Sequence, residues 1–403
     1  MLLGAHLTLM MGPMVALPVP LAISEALVGV EVTQSDRGRS GFQLQFQVGR
    51  SGPLDLVDFP LVAHPLMRPF TRVVIVVRFD LLPRVLMDGV ITQLSLAPSE
   101  DPGASTLTVT GEDVSVMMDL LTIKTPWPGM PDPAIAAAIL ARYAAYGLVP
   151  MIIPPATMVT PIPTRTIPMQ TGTDLEHLNT MAERYSHVFY VEPTNVPMVN
   201  KAYWGPPVRA GLPQKALSVN MGPGSNVNSI SFQYNALSPT MVIDLIQDPE
   251  TNVILPVVVP PVALQPPLAL QPALIANNGI VRTSVLSQDD PPAATPAGTA
   301  QPATSATREH PAGVTYMQAL IKAMATVQKS LDGTATASGE LDALQYGDIL
   351  RARGIVGVRG VGLTHDGSWY VQSVTHSIRK GEYKQRFTLN REGTHSLLPL
   401  VRP

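Results

Sequence analysis

The stretch Asp366–Gly393, DGSWYVQSVTHSIRKGEYKQRFTLNREG, constrains the fold more than any other part of the chain. Trp369, Val371, Ser373 and Thr375 alternate with Tyr370, Gln372, Val374, His376 and Ile378. Beyond the polar turn Arg379–Glu382, Tyr383, Gln385, Phe387 and Leu389 alternate with Lys384, Arg386 and Thr388. A period of two on both sides of a Gly-containing turn predicts a β-hairpin. One face is aromatic and aliphatic and suits a core, whereas the other carries Lys, Arg, Gln and Thr and suits solvent or a partner.

The same signal recurs near the N-terminus. His6–Met11 reads as a lead strand. Val28, Val30 and Val32, then Phe42, Leu44, Phe46 and Val48, flank a Ser/Asp/Gly turn and predict a second hairpin, whose other face is the row Gln43, Gln45 and Gln47. That row is either solvated or stacked against another subunit. The run Phe70–Phe79 is nearly all β-branched and predicts a central strand covered on both faces. Asp88-Gly89 leads into Val90–Leu96, Thr106–Thr110 returns, and a first β module closes at residue 121.

Over 122–225 the period changes to that of helices. Asp132 as N-cap, Pro133 at the first helical position and Gly147 as C-cap bound one helix. Thr173-Asp174-Leu175-Glu176 opens a second with a capping-box spacing. Val188–Val191 follows as a strand, so this region reads as a small α/β domain inserted between β modules. Strands resume from 226, at Ile230–Tyr234 and Met241–Leu245. The stretch 255–312 interrupts them as a Pro/Ala-rich insertion. Its aliphatic part (255–272) is expected to lie along another surface. Asp289–Pro311 lacks the apolar residues to fold alone and is expected to be dispensable for folding. A third helix, with Thr315 and Gln318 as a capping box and a stripe from Met317 to Leu331, leads to a strand over Ile349–Val361 and the closing hairpin. Residues 226–403 form the second β module. Asp88-Gly89, strand, turn, strand and Gly111-Glu112-Asp113 parallel Asp366-Gly367, strand, turn, strand and Arg391-Glu392-Gly393, which reads as an internal repeat of one module.

The V-T-H, polar turn, Y-x-Q-x-F-x-L-x-R-E-G pattern resembles the C-terminal signature of the phage late control protein D family, the baseplate hub proteins of contractile tails and related injection systems. Ser35-Asp36 with Ser40–Leu44, Leu86–Ile91, Leu107–Asp113, Gly172–Leu178 and Ala182–Tyr185 follow in that family's order. The resemblance implies an α+β, mostly β fold with two tail-tube-like antiparallel β-barrel modules around the inserted domain. It implies a homotrimer presenting six modules, which connects the inner tube to the central spike. Its partners would be a central spike protein, an inner tube or tube-initiator protein, and baseplate wedge proteins. It would assemble in the bacterial cytoplasm and then form part of a phage tail or extracellular injection particle. Some relatives run on into an oligonucleotide-binding-type barrel and a triple-stranded spike, so here the spike is expected to be a separate polypeptide.

Composition narrows the alternatives. With net charge −3, pI ≈ 6.2 and no block of Lys or Arg, the basic stripe of a nucleic-acid binder is missing. A charged content of 14% against 45% hydrophobic suits a chain that buries much of its outside against neighbours. The absence of cysteine excludes disulfides, thiolate metal sites and a Cys nucleophile. Met1–Ile23 is apolar, but no Lys or Arg precedes it and Pro13, Pro18 and Pro20 break a helix, so stable membrane insertion is not expected. No nucleophile elbow, zinc-protease, phosphate-loop or dinucleotide motif occurs. The run Gly354, Gly357, Gly360, Gly362 fits a strand bend better than a phosphate loop. His177 and His187 are not at ligand spacing, and Asp174 and Glu176 are accounted for by a helix N-terminus. His365, Asp366 and His376 could converge across the hairpin. No catalytic, cofactor-binding or metal-ligating residue is assigned, no cofactor is expected, and the chain is read as structural and not as an enzyme. A cell-envelope-degrading tail enzyme and a secreted β-rich binding protein are the competing readings.

Overall fold

The computed structural model describes residues 6–49, 59–79, 82–100, 104–156, 161, 163–164, 167–247, 253–263, 265–286 and 316–397. The fold is α+β and dominated by antiparallel strands, 13 of which form one sheet. In its first half Leu27–Ser35 pairs with Gly41–Val48, that strand with Ser105–Asp113, and that one with Leu82–Ala97. Residues 82–90 of the last strand also pair with Arg72–Phe79, and His6–Gly12 lies beyond it. Val73, Val74, Ile75, Val76 and Val77 are all buried, as a β-branched run covered on both faces should be.

The second half is built on the C-terminal hairpin, Gly367–Arg379 with Glu382–Arg391. Ala335–Asp342 adds to it, and Ser229–Tyr234 forms the edge. The two halves are continuous. Gly367–Arg379 pairs antiparallel with Leu27–Ser35, from Ser373 opposite Ser35 to Arg379 opposite Gly29.

Two details of the large sheet differ from the sequence reading. The C-terminal hairpin does not keep one parity, because a bulge falls between Val371 and Ser373. Trp369 and Val371 therefore point into the same core as Val374, His376 is buried beside Tyr383, and Ser373 and Thr375 point away. Asp88-Gly89 does not precede its strand. It sits inside the strand Leu82–Ala97, where Gly89 lets the Glu112 carbonyl approach so closely that a Cβ would lie 2.1 Å from its oxygen. Of the glycine run near 354–362, Gly357 lies inside the strand Ile355–Arg359 and Gly360 just past its end, where at φ +88° its Cβ position is 1.9 Å from the Val219 carbonyl oxygen.

In the inserted region, Val188–Pro193, Asn200–Gly205 and Leu148–Ile152 form a sheet, covered by the helices Asp132–Ala141 and Asp174–Arg184. Thr173 and Glu176 make the reciprocal capping box. Asp132 is the first helical residue and not the cap, and its carboxylate accepts from Arg184 and Tyr185 instead. A further three-stranded sheet, Thr240–Gln247 with Ile254–Val259 and Arg282–Ser284, packs on the helix Tyr316–Asp332. The aliphatic stretch after 254 is thus a strand with Val257 and Val259 buried, and Met317 of the helix is exposed. Thr315 and the segment Asp289–Pro311 lie outside the described residues.

Candidate functional site: a polar sheet face with open edges

Eight antiparallel strands run side by side from Thr92–Ala97 to Ser229–Tyr234. Their inward residues fill two cores, one around Val32, Phe42, Leu44 and Val109 and the other around Trp369, Val374, Phe387 and Leu389. Period-two geometry forces their other residues onto one common outer face. The registers lay these out in rows. One row reads Gln93, Thr110, Gln43, Glu31, Ser377, Lys384, Asp342. The next reads Thr33, Thr375, Arg386, Glu340, Ser229, and another Ser35, Ser373, Thr388, Ser338, Ser231.

This face is a carpet of hydroxyl and amide groups. Thr33 and Thr375 hydroxyls lie 3.1 Å apart and Ser231 and Ser338 hydroxyls 3.0 Å apart. The charges on it compensate each other: Arg386 bonds Glu340 at 3.1 Å and Lys384 bonds Glu382 at 2.5 Å. The Lys384 bond lowers the Glu382 pKa and raises that of Lys384, so both stay charged. Such a surface offers hydrogen bonds everywhere, an apolar grip nowhere, and no strong net field. Gln43 and Gln45 lie on it as the sequence pattern expects, with Gln47 exposed at the strand end.

Buried ion pairs fix what lies behind this sheet. Arg72 and Asp88 make a two-pronged pair at 2.7 Å, Asn200 Nδ2 donates to the same carboxylate, and Arg72 donates to the carbonyls of Tyr146 and Met198. Arg353 donates to Ser35 and Val191 carbonyls and to Ser40 Oγ, with Tyr190 stacked 4.0 Å from its guanidinium. These contacts clamp the segment from Tyr146 to Asn200 to the sheet. A third cluster joins Arg37 and Arg209 to Asp332 and Arg209 to Glu392, whose carboxylate also accepts from the Leu268 and Ala269 amides. Beside it Asp36 is pushed up to about 6, chiefly by burial.

The candidate chemical groups do not assemble into a reactive centre. His376 is fully buried, bonds the Tyr383 hydroxyl at 3.0 Å and is pushed down to about 3 by burial. His365 stacks on Phe232 at 4.6 Å, and Asp366 accepts from the Val361 amide. His177 lies on the helix Asp174–Arg184, and His187 packs against Trp204, pushed down to about 4 by burial. Asp174, in the first turn of that helix, accepts from Tyr143, Gln170 and Arg142. Among the described residues no group of three His, Asp or Glu side chains could hold a metal ion, and no helix is long and apolar enough to cross a membrane. The buried arginine clusters were not foreseen. Their carboxylate partners lie from 16 positions away, for Arg72 and Asp88, to 295, for Arg37 and Asp332, and no local motif marks them.

No protein-family model and no curated protein sequence matches the chain. Solved structures do, and they define the class of fold, that of tail proteins and their secretion-system counterparts. Two are tail proteins: a 43 kDa prophage protein from Shewanella oneidensis (TM-score 0.61, 11% identity, 96% of this chain and 98% of that one) and one from Neisseria meningitidis (0.57, 11%, 96% and 97%). A chain of the Francisella PdpA–VgrG complex is similar over 99% of this chain and 60% of its own length, with TM-score 0.56 and 8% identity.

Proposed function

We propose that this chain is the structural hub of a contractile tail or injection system, a homotrimer that connects the inner tube to a central spike. The carrying observation is the eight-strand sheet with one charge-compensated polar face. Its two four-strand halves sit in one plane of pairing, so three copies offer six similar units to a tube and three copies of the chain to a spike. On this reading the polar face lines the bore, where hydroxyl and amide groups let cargo pass without sticking. The inserted α/β domain and the small sheet around Thr240–Gln247 stand outward.

The direct partners are then a central spike protein, the inner tube or tube-initiator protein, and baseplate wedge proteins. The shared fold with tail proteins and with a chain of the PdpA–VgrG complex supports this placement. The chain acts as a scaffold and not as an enzyme, is assembled in the bacterial cytoplasm, and leaves as part of the particle. Mass spectrometry of purified particles tests the reading. The chain should copurify with tube and spike, and its deletion should leave tubes without spikes. Normal, spike-bearing particles made without it would refute the proposal.

A further inference from the structure

The small sheet of Thr240–Gln247, Ile254–Val259 and Arg282–Ser284 is apolar on both faces but covered on only one. Inward, Val242, Ile246, Val257 and Val259 are buried against the helix Tyr316–Asp332, in a core that includes Ala323 and Val327. Period two sends the residues between them the other way. Ile243 stands opposite Val258, Leu245 opposite Pro256 and Gln247 opposite Ile254, and all six are exposed. Ile243, Leu245, Ile254 and Val258 are 40–64% exposed. Val285, also exposed, adds to this side by the register that sets Thr283 beside Met241. No outward residue of the three strands is charged. Asp244 points inward, where it accepts from the Leu286 amide.

Strands that are aliphatic on both faces belong in a three-layer arrangement, with a helix on each side. Among the described residues this sheet has only its inner helix, so one layer is missing. The six register pairs make the face about 17 Å long, the length of about eleven helical residues. Three strands make it roughly 10 Å wide, the breadth of one helix. Covering it removes on the order of 500 Å² from solvent on this side, and about 1,000 Å² with the helix's share, which is enough for a specific contact.

The stretches adjoining these strands in sequence that lie outside the described residues do not match the face in composition. One is Asp248-Pro249-Glu250-Thr251-Asn252, and across 287–315 the sole Leu, Ile, Val, Met, Phe, Tyr or Trp is Val314. Two copies of the face pressed together need a twofold axis, which three copies around one axis do not provide. Resting on the hub reading above, in which tube and spike take the two ends of the ring, we infer that this outward face seats an amphipathic helix of a baseplate wedge protein. The helix lies along the strands. Its aliphatic stripe, spaced i, i+3, i+4 and i+7, packs on Ile243, Leu245, Ile254 and Val258. The contact is apolar throughout, so added salt does not weaken it.

Leu245 is exposed and the chain has no cysteine, so one substitution reads the face without disturbing the core. Leu245→Cys would be treated with a maleimide in the purified full-length chain and in intact particles. Labelling should be fast in the free chain and slower by about tenfold or more in particles, since the centre of an interface excludes water. A photo-reactive p-benzoylphenylalanine in place of Val285, at the rim of the face, should cross-link in particles to one short segment of a wedge protein. Leu245→Lys should keep the parent's melting temperature and its attachment to spike and tube, but give particles depleted of wedges. Equal labelling in both states overturns the inference. So does cross-linking to a second copy or to residues 287–315, and so does a normal wedge content with Leu245→Lys. None of these outcomes touches the hub reading, which falls instead if spike-bearing particles form without the chain.

Discussion

Thr33 and Thr375 stand 342 positions apart in sequence, yet they are register partners with their hydroxyl oxygens 3.1 Å apart. This pair marks the seam where the first and last thirds of the molecule become one sheet. Closing so long a loop has an entropic cost that grows only slowly with length, so many residues between the partners are tolerable. The seam is then held by a ladder from Ser373 to Arg379 and by the buried row Val30, Val32, Val374 and His376 behind it.

Phe387 is 2% exposed, on the inward side of the closing hairpin. Phe387→Asp should place an unpaired carboxylate among Trp369, Val374 and Leu389 and cost more than about 4 kcal/mol. Lys384, on the outer face, is half-exposed and bonded to Glu382, so Lys384→Gln should cost less than about 1 kcal/mol. Denaturant midpoints measure both. Equal losses would show that the inward and outward faces are misassigned.

Asp88→Ala should be one of the most damaging single changes behind the sheet. It would leave the Arg72 guanidinium buried without its anion and remove the acceptor of Asn200, at a cost of about 3–5 kcal/mol. The paired change Arg72→Met with Asp88→Leu should recover a large part of that loss, since no charge is then stranded. Thermal unfolding of the single and double variants checks this. A double variant as unstable as the single would show that shape, and not the stranded charge, sets the cost.

Gly89 and Gly41 offer a contrast within one sheet. A Cβ on Gly89 would lie 2.1 Å from the Glu112 carbonyl oxygen, whereas one on Gly41 would lie 3.5 Å from its nearest neighbour, an ordinary contact. Gly89→Ala should therefore lose about 1–3 kcal/mol, and Gly41→Ala should stay within about 0.5 kcal/mol of the parent. Melting temperatures of the two variants decide between this and a uniform glycine effect.

Asp36 makes stability depend on pH in a defined direction. Burial raises its folded pKa from 3.8 to about 6, against the opposing pull of Arg37 and Arg353 and with the support of Asp332; Tyr370 also faces it. The folded state therefore holds this proton more tightly than the unfolded chain. The group's contribution is most favourable below the unfolded value and is lost as pH rises through about 6. Asp36→Asn should be more stable than the parent at pH 7.5 by about 1–3 kcal/mol, with the difference vanishing near pH 4. A difference that is flat with pH would contradict the assignment.

Local periodicity made most of the strands and the two capped helices legible, because side-chain alternation and capping chemistry are encoded within a few residues. Thr173 and Glu176 fold as their spacing requires, and Tyr383, Gln385, Phe387 and Leu389 all face inward. What was not legible is what depends on partners far away. The extra residue at Gln372 reverses the parity of the strand before it, and only the opposing strand reveals it. Asp88-Gly89 reads as the lead-in to a strand until Arg72 and Glu112 are placed beside it. The outer Gln43–Gln45 face could be read from the sequence, but its continuation through Thr33 and Thr375 could not, since pairing across the seam leaves no trace in either strand alone.

On the hub reading, three copies of this chain form the ring between tube and spike. A cryo-electron microscopy map of intact particles, with the chain located at the tube–spike junction, measures this directly. Three copies are expected there, with six similar four-strand units around the bore and the polar rows of Gln43, Thr375 and Ser338 facing the lumen. One copy or six at that junction, or a lumen lined by other surfaces of the chain, would contradict it.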